Sequence, residues 1–597
     1  MPKVSIMPQN KIFEYIHDKN LLQLLLENEI FVDNPCNGKG SCGKCKIRLL
    51  KGNLPDISET EEKLLKKEEI DSGIRLSCFV VPQEDIVIEI LQKERKHEIL
   101  TTGYMPDFEF NPLIYKEVFE IEKPTLENQI SFEDSICNTF DVEKFDWRLL
   151  QQHEFITGKV TGVFNGRELI GIEPGDTTDL LYGVAVDIGT TTVVTALIDM
   201  KTGKELATAS MINAQKNFGL DVLTRITYEI EHPEDSKEKL QYAIVNSVNE
   251  MIEDICNKSK VDRRNIYEIS IAANCTMMHF LLGIDATSIG MSPYAPIFVK
   301  AKNILARDIG LKAAPGARLY CLPSVSAYIG ADIVAGAYVC QLHKAKENVL
   351  FIDIGTNGEI VLSNHGKLLS CSCAAGPALE GMNISSGMRA AEGAIEDVKI
   401  TESGIELKVI GEQKPIGICG SGILAAVKEL IRTGLVKKDG AFIKKEKLEE
   451  SDYRYDMIQL DGKKREFILN GAPEQLLITQ ADIRQVQLAK GAILSGFYAL
   501  LKKANIDMNQ LDKVVIAGQF GAHLPADSLV GIGILPEEIR DRLVYVGNSS
   551  KTGAYMALMS AEVKQQIEEL AHQIDYMELG ASEGYERLFA QCLIFPN

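Results

Sequence analysis

Residues Gly183–Leu206 read GVAVDIGTTTVVTALIDMKTGKEL, and residues Asn348–Leu369 read NVLFIDIGTNGEIVLSNHGKLL. Each begins as an apolar strand ending in Asp-Ile-Gly-Thr and passes through a polar turn into a second strand. Each then closes on a hairpin turn, Lys201-Thr202-Gly203 or Asn364-His365-Gly366. A repeat of this kind decides architecture before local propensity does. In such a turn Gly189 or Gly355 brings backbone N–H groups close to a phosphate with no side chain in the way. Thr190, Thr191 and Thr192 in the first copy, and Thr356 and Asn357 in the second, add polar donors. Asp187 and Asp353, at the strand ends, can hold magnesium directly or through water. A single D-x-G-T is a common strand-to-turn sequence and carries little weight. Two copies in the same strand–turn–strand context predict two facing hairpins, 187–192 and 353–358, that clamp a nucleotide's phosphates from both sides.

Two later strand ends carry glycine turns. VVIAGQFGAHL (514–524) predicts a strand over Val514–Ala517, with Gly518 and Gly521 at the turn. LVYVGNSSKTGA (543–554) supplies Gly547, Asn548 and Gly553. Both are candidates for adenosine contacts; the alternative is plain strand-to-helix loops. The chain has no G-x-x-x-x-G-K-[ST] and no HRD–DFG pair, so neither a Walker-type NTPase nor a protein kinase is supported. The duplicated loop resembles the actin-like ATPase superfamily of sugar kinases, acetate kinase and heat-shock chaperones. That resemblance implies a two-lobed, ribonuclease H-like ATPase domain over residues 182–597, with ATP and magnesium between the lobes.

The N-terminal stretch FVDNPCNGKGSCGKCKIRLLKG (31–52) places Cys36, Cys42 and Cys45 in one glycine-rich loop, and Cys78 follows alone. Four thiolates are what a 2Fe-2S cluster needs, two per iron. A loop wrapped round a cluster also needs unusual φ angles, which Gly38, Gly40 and Gly43 allow. A zinc site is the alternative, but zinc prefers two close cysteine pairs. A short helix is expected at Leu21–Leu26, strands at Lys46–Leu50 and Ile86–Leu91, and a capping box at Ser58-x-x-Glu61. Residues 1–95 resemble the β-grasp ferredoxins. The five-residue gap between the first two cysteines is similar to the adrenodoxin-like branch. Lys39, Lys44, Lys46 and Arg48 flank the loop and either dock an acidic donor or form a solvated face.

Between these parts, residues 96–125 carry Pro106, Pro112 and Pro124 and read as a linker. Residues 126–181 read as a small middle domain, with a strand near Phe155–Val163. The whole is expected to be an α/β multidomain chain. The net charge of −20 over 597 residues gives no positive field for nucleic acid or an anionic membrane surface. No apolar run reaches the length of a bilayer span, and the N-terminus shows no signal peptide, so a cytoplasmic protein is expected. Thirteen scattered cysteines are not a disulfide framework.

A ferredoxin domain joined to such an ATPase narrows the resemblance. The chain looks like the reductive activators of corrinoid-dependent methyltransferases and related corrinoid proteins. The stretches carrying this are YGVAVDIGTTT (182–192), NAQKNFGLDVLTRI (213–226), ANCTMMHFLLGID (273–285), FIDIGTNGE (351–359), AAGPALEGM (374–382), ICGSGI (418–423), ITQADIRQVQLAKGAI (478–493) and VGNSSKTGA (546–554). The resemblance implies ATP-dependent transfer of one electron from the 2Fe-2S cluster to Co(II) of a corrinoid protein, regenerating Co(I). It also implies an external low-potential electron donor and a homodimer. Glu380, Gln215 and Asp221 are candidates for positioning the attacking water. His279 reads as a hydrogen-bonded structural histidine rather than a cobalt ligand. The competing functions are a small-molecule kinase with a redox accessory, an activator of a radical dehydratase, and a nucleotide-dependent redox sensor.

Overall fold

The two Asp-Ile-Gly-Thr repeats fold as two six-stranded sheets that share a five-strand order and differ in where the sixth strand is added. This computed structural model describes the chain apart from residues 1, 8–10, 16–18, 29, 31, 33–37, 39, 41–42, 44, 92–103, 143–144, 153–155, 462–463, 471–474, 519–523 and 597. The first sheet runs in the order Glu205–Ile212, Thr192–Asp199, Tyr182–Ile188, Ile266–Ala273, Arg318–Cys321, Lys302–Leu305. The second runs Lys367–Cys373, Gly358–Asn364, Asn348–Ile354, Lys513–Ala517, Leu543–Gly547, with Ile574–Tyr576 on the outer side of Lys367–Cys373. In both, an antiparallel three-strand meander carries the repeat and parallel strands extend it. The strands bearing the aspartates, buried along most of their length, lie inside these sheets, which is why they read as continuous apolar runs.

Two helices lie close together near the aspartates, Ala331–Val339 and Ser549–Met559, and both are buried almost throughout. Gly553 makes the approach possible: a Cβ there would stand 2.5 Å from Cβ of Ala335.

Clustering of the chain gives two compact units. One comprises Met1–Lys96 with Gln215–Tyr228; the other comprises His97–Ala214 with Glu229–Asn597. In the first, a five-stranded sheet runs Lys11–Glu14, Lys3–Met7, Ile86–Ile90, Lys46–Lys51, Ile74–Leu76, with the helix Leu21–Glu27 contributing Leu21, Leu22, Leu24 and Leu25 to the core. The side chain of Asn20 caps that helix by accepting from Gln23 N–H at 2.9 Å. Only half of the expected capping box at Ser58 forms. Ser58 Oγ accepts from Glu61 N–H at 3.2 Å, but the Glu61 carboxylate turns inward. It accepts from Arg75 Nε–H at 2.8 Å and Nη2–H at 2.9 Å, and from Leu76 N–H at 2.8 Å. A fully buried carboxylate is worth more in a charge-assisted pair than at a helix end.

In the second unit, the stretch expected as a linker contains a strand, Ile114–Ile121. It pairs along its whole length with Gly158–Asn165, from Ile114 opposite Asn165 to Ile121 opposite Gly158, and Glu168–Pro174 completes a three-stranded sheet. The prolines misled because they flank the strand instead of interrupting it. The segment before it is strapped to the strand Leu543–Gly547 and the helix Ser549–Met559: Tyr104 N–H donates to Val546 O at 2.7 Å, and Asn111 N–H to Met559 O at 2.9 Å. Among the described residues no helix is long and apolar enough to cross a membrane.

Candidate nucleotide and cluster sites

Each hairpin turn closes on itself through the N–H of its glycine, over three residues in the first copy and two in the second. Gly189 N–H donates to Thr192 O at 2.8 Å, and Gly355 N–H to Asn357 O at 2.9 Å. Asn213 secures the first turn, its side-chain amide donating to Gly189 O and its N–H to Thr191 O, both at 2.9 Å. The two turns face a common group. Thr191 Oγ1 donates to Glu380 Oε2 at 3.0 Å, and Thr356 Oγ1 donates to Glu380 Oε1. One carboxylate, 1% exposed, therefore holds a hydroxyl from each hairpin. Burial raises the proton affinity of Glu380, and the hydroxyl of Thr356, the nearby Arg389 and Thr191 oppose the rise.

The aspartates at the strand ends meet two further carboxylates. Burial and the charges of Asp332 and Asp187 push Asp353 up to about 8. Burial and Asp187 push Asp332 up to about 7. Glu359 is raised well above the carboxylate range by burial, Asp332 and Asp353, with an opposing hydrogen bond from Asn357. Asp187 is also raised by burial, though it accepts from Asn548 Nδ2–H at 2.9 Å and Ser550 Oγ–H at 2.7 Å and feels Lys551. Four mutually repelling carboxylates fit a divalent cation, which would relieve their charge. Among the described residues no three are spaced to ligate one ion directly, so a cation held through water fits best.

Asp332 and Glu359 escaped the sequence reading. Asp332 is the lone charge in the apolar helix Ala331–Val339. Glu359 stands at the repeat position that Val193 occupies in the first copy, and that substitution of charge for apolar was the available signal.

The expected adenosine residues divide. Gly518 sits at φ 87°, and a Cβ there would lie 2.2 Å from Asp353 Oδ1, so its glycine makes room for the carboxylate. Gly521 lies outside the described residues. Gly547 ends its strand. The side chain of Asn548 faces Asp187 and caps the following helix by accepting from Lys551 N–H at 2.8 Å. Gln215 and Asp221 belong to the unit containing the N-terminal residues. Gln215 is buried and accepts from Arg225 at 3.3 Å. Asp221 accepts from Thr224 N–H at 2.8 Å at the head of the helix Val222–Glu231, a capping arrangement.

In the N-terminal module, Cys45 and Cys78 bring their sulfurs to 3.3 Å, and hydrogen bonding between the two side chains lowers the Cys45 thiol to about 6. Cys36 and Cys42 lie outside the described residues. The loop holds a cradle: Gly40, at φ 70°, leaves space that a Cβ would close at 2.4 Å from the Phe79 ring. Adjacent thiols and a glycine-lined loop fit a 2Fe-2S cluster. Of the flanking cations, Lys46 pairs with Glu69 at 2.6 Å and Arg48 with Glu89 at 2.9 Å. Lys39 and Lys44 lie outside the described residues.

Comparison with known proteins agrees with this geometry. The family model described as the C-terminal domain of RACo, the ASKHA domain, matches residues 347–597, and the RACo middle region matches 182–345. A 2Fe-2S iron-sulfur cluster binding domain matches residues 4–83. The chain is 32% identical over 550 residues to the corrinoid activation enzyme RamQ of Eubacterium limosum, covering 88% of each. The chain belongs to the RACo family. A second relative, the [Co(II) methylated amine-specific corrinoid protein] reductase of Methanosarcina barkeri, is 26% identical over 439 residues, 68% of this chain and 76% of that one. A solved structure, a reductive activator for corrinoid,iron-sulfur protein, aligns with TM-score 0.71 and 32% identity, covering 100% of this chain and 99% of the other. The RACo family model begins its middle region at residue 182, where the first hairpin strand starts.

Proposed function

We propose that this RACo-family chain is an ATP-dependent reductive activator of a corrinoid protein. It passes one electron to the partner's Co(II) and so regenerates Co(I). The observation that carries the reading is Glu380, which joins the two phosphate hairpins in a chain that also carries the cysteine loop. The 2Fe-2S group, when bound by Cys36, Cys42, Cys45 and Cys78, supplies the single electron.

A threonine hydroxyl has one proton to donate. Thr191 and Thr356 can therefore serve Glu380 or a phosphate oxygen, not both. ATP binding exchanges these bonds, loosens the clasp and leaves Glu380 with two open acceptor sites, suited to orienting water. Asp187 and Asp353, backed by Asp332 and Glu359, would hold through water the magnesium that accompanies the phosphates, and the ion would offset their charge.

ATP is needed for an energetic reason. A ferredoxin-type cluster lies near about −400 mV. Each 100 mV by which the cobalt lies lower costs about 2.3 kcal/mol. Coupling works by changing the affinity for the partner, and it is limited to the difference in contacts between the nucleotide states. A low-potential donor outside the chain and a homodimeric state complete the proposal.

The test is an absorbance assay of a Co(II) methyltransferase corrinoid protein with this protein and a low-potential reductant, with and without Mg-ATP. Co(I) should form only with ATP and be lost in Asp353→Ala. If no Co(I) forms while cluster and ATP turnover are intact, the activator reading is wrong and a sensor or kinase remains.

A further inference from the structure

A cavity of about 610 Å³ lies away from the carboxylates, where the edges of the two sheets meet. One wall is drawn from residues 293–302 of the segment 291–302, which leads into the edge strand Lys302–Leu305 of the first sheet. The opposite wall includes Tyr576, at the end of the strand Ile574–Tyr576 that pairs with Lys367–Cys373 in the second sheet. Any nucleotide-driven movement of one lobe against the other changes this cavity's shape.

A second feature ties it to the phosphate turn. Asn274 Nδ2–H donates to Thr190 Oγ1 at 3.0 Å, while Asn274 Oδ1 accepts from Met277 N–H at 2.9 Å and caps the helix Cys275–Leu281. On that helix His279 is fully buried. Its Nδ1 lies 2.7 Å from Cys275 O, and its Nε2 accepts from Ile297 N–H at 3.2 Å. Its ring stacks on Phe298 with centroids 4.5 Å apart. Both ring nitrogens are thus engaged in holding the cavity wall, as a structural histidine's would be. One short helix connects the first phosphate hairpin to segment 291–302.

The surface of that segment is unusual for a soluble face. Tyr294 and Ile297, which line the cavity, are 39% and 62% exposed, and Met291, close by in sequence, is 51% exposed. Isolated exposed apolar residues need no explanation, but a contiguous patch marks an interaction site. Beside it stand Lys300 and Lys302. Lys302 lies 4.7 Å over the Phe298 ring and donates to Lys300 O at 3.2 Å. Among the described residues no carboxylate lies within 4.0 Å of either amine. The cavity's one carboxylate, Glu578, is occupied by Tyr576 O–H at 2.7 Å and Gly580 N–H at 3.3 Å. In a chain of net charge −20, an acidic partner is repelled by most of the surface and attracted here.

We propose that segment 291–302 and its cavity form a nucleotide-gated docking face for an acidic, apolar-studded segment of the corrinoid-carrying partner. The partner's identity rests on the function proposed above; the gate does not. Two experiments on the full-length, cluster-loaded protein test it. Amide hydrogen exchange across 291–302 should slow severalfold with Mg-ATP and no partner. Unchanged exchange sinks the gate, whatever the protein reduces. The double variant Ile297→Asp/Lys300→Glu should bind a Co(II) corrinoid protein that wild type reduces at least about tenfold more weakly. Its partner-free ATP turnover and cluster absorbance should stay at wild-type level. Wild-type affinity in the variant overturns the docking face. So does a shift of the variant from dimer to monomer, which would give the face to a second copy of this chain. Absence of Co(I) with the wild-type protein is a different result, and it sinks the proposed function.

Discussion

Asp353 shows how a residue's role depends on its neighbours. In sequence it is an aspartate at a strand end; in the fold it faces Asp187, Asp332 and Glu359. With its proton affinity raised to about 8 and that of Asp332 to about 7, the folded chain keeps protons that the unfolded chain has released above about pH 4. The folded state then binds more protons than the unfolded state, so stability falls as pH rises from about 4 to about 8. We expect the metal-free melting temperature to drop across pH 6 to 8, and Asp353→Asn to flatten that slope. Mg-ATP should raise the melting temperature more at pH 8 than at pH 6, because protons compete for the same oxygens. Calorimetry of wild type and variant decides it; an equal slope in both would remove Asp353 from the cluster's energetics. Asp187 and Asp353 were legible because a repeat marked them. Asp332 and Glu359 were not, since neither sits in a recognisable turn.

At the scale of an element, the helix Glu59–Leu64 shows local sequence overruled by packing. Ser-x-x-Glu is a helix-start signature. Here Glu61 is fully buried against Arg75, itself 11% exposed by its side chain. Removing one partner of a buried pair costs about 3–5 kcal/mol, because the other charge is left without compensation. Glu61→Gln should therefore destabilise the N-terminal module by roughly that amount, against the few tenths expected for an exposed capping glutamate. Thermal loss of the cluster's visible absorbance reports it. A melting point within a degree of wild type would mean that Arg75 is solvated and the pair unimportant. The strand Ile114–Ile121 teaches a related lesson, since prolines on either side of it imitate a linker.

Across the whole molecule, one chain carries two chemistries that ought to separate by mutation. Cys45→Ala should abolish partner reduction and leave partner-free ATP turnover near wild type. Thr356→Val should do the opposite to the cluster: normal absorbance, with ATP turnover reduced about tenfold or more, as for loss of a single preorganised donor. Parallel turnover and absorbance assays read both variants. Loss of ATP turnover in Cys45→Ala would show that the cluster module is required for the nucleotide site itself.

The sequence by itself determined the repeat, the α/β class, the glycine-rich cysteine loop and the family. These are encoded locally, in the period of apolar residues and in turns that few residue types can make. The tertiary structure alone decided which distant groups converge. It placed Glu380 between Thr191 and Thr356, set the Asn548 amide on Asp187, and added Asp332 and Glu359 to the carboxylates. It also joined Asn274 and His279 into a path from the phosphate turn to an exposed apolar rim. Such meetings depend on how two sheets and the helices between them pack, and no spacing along the chain records that.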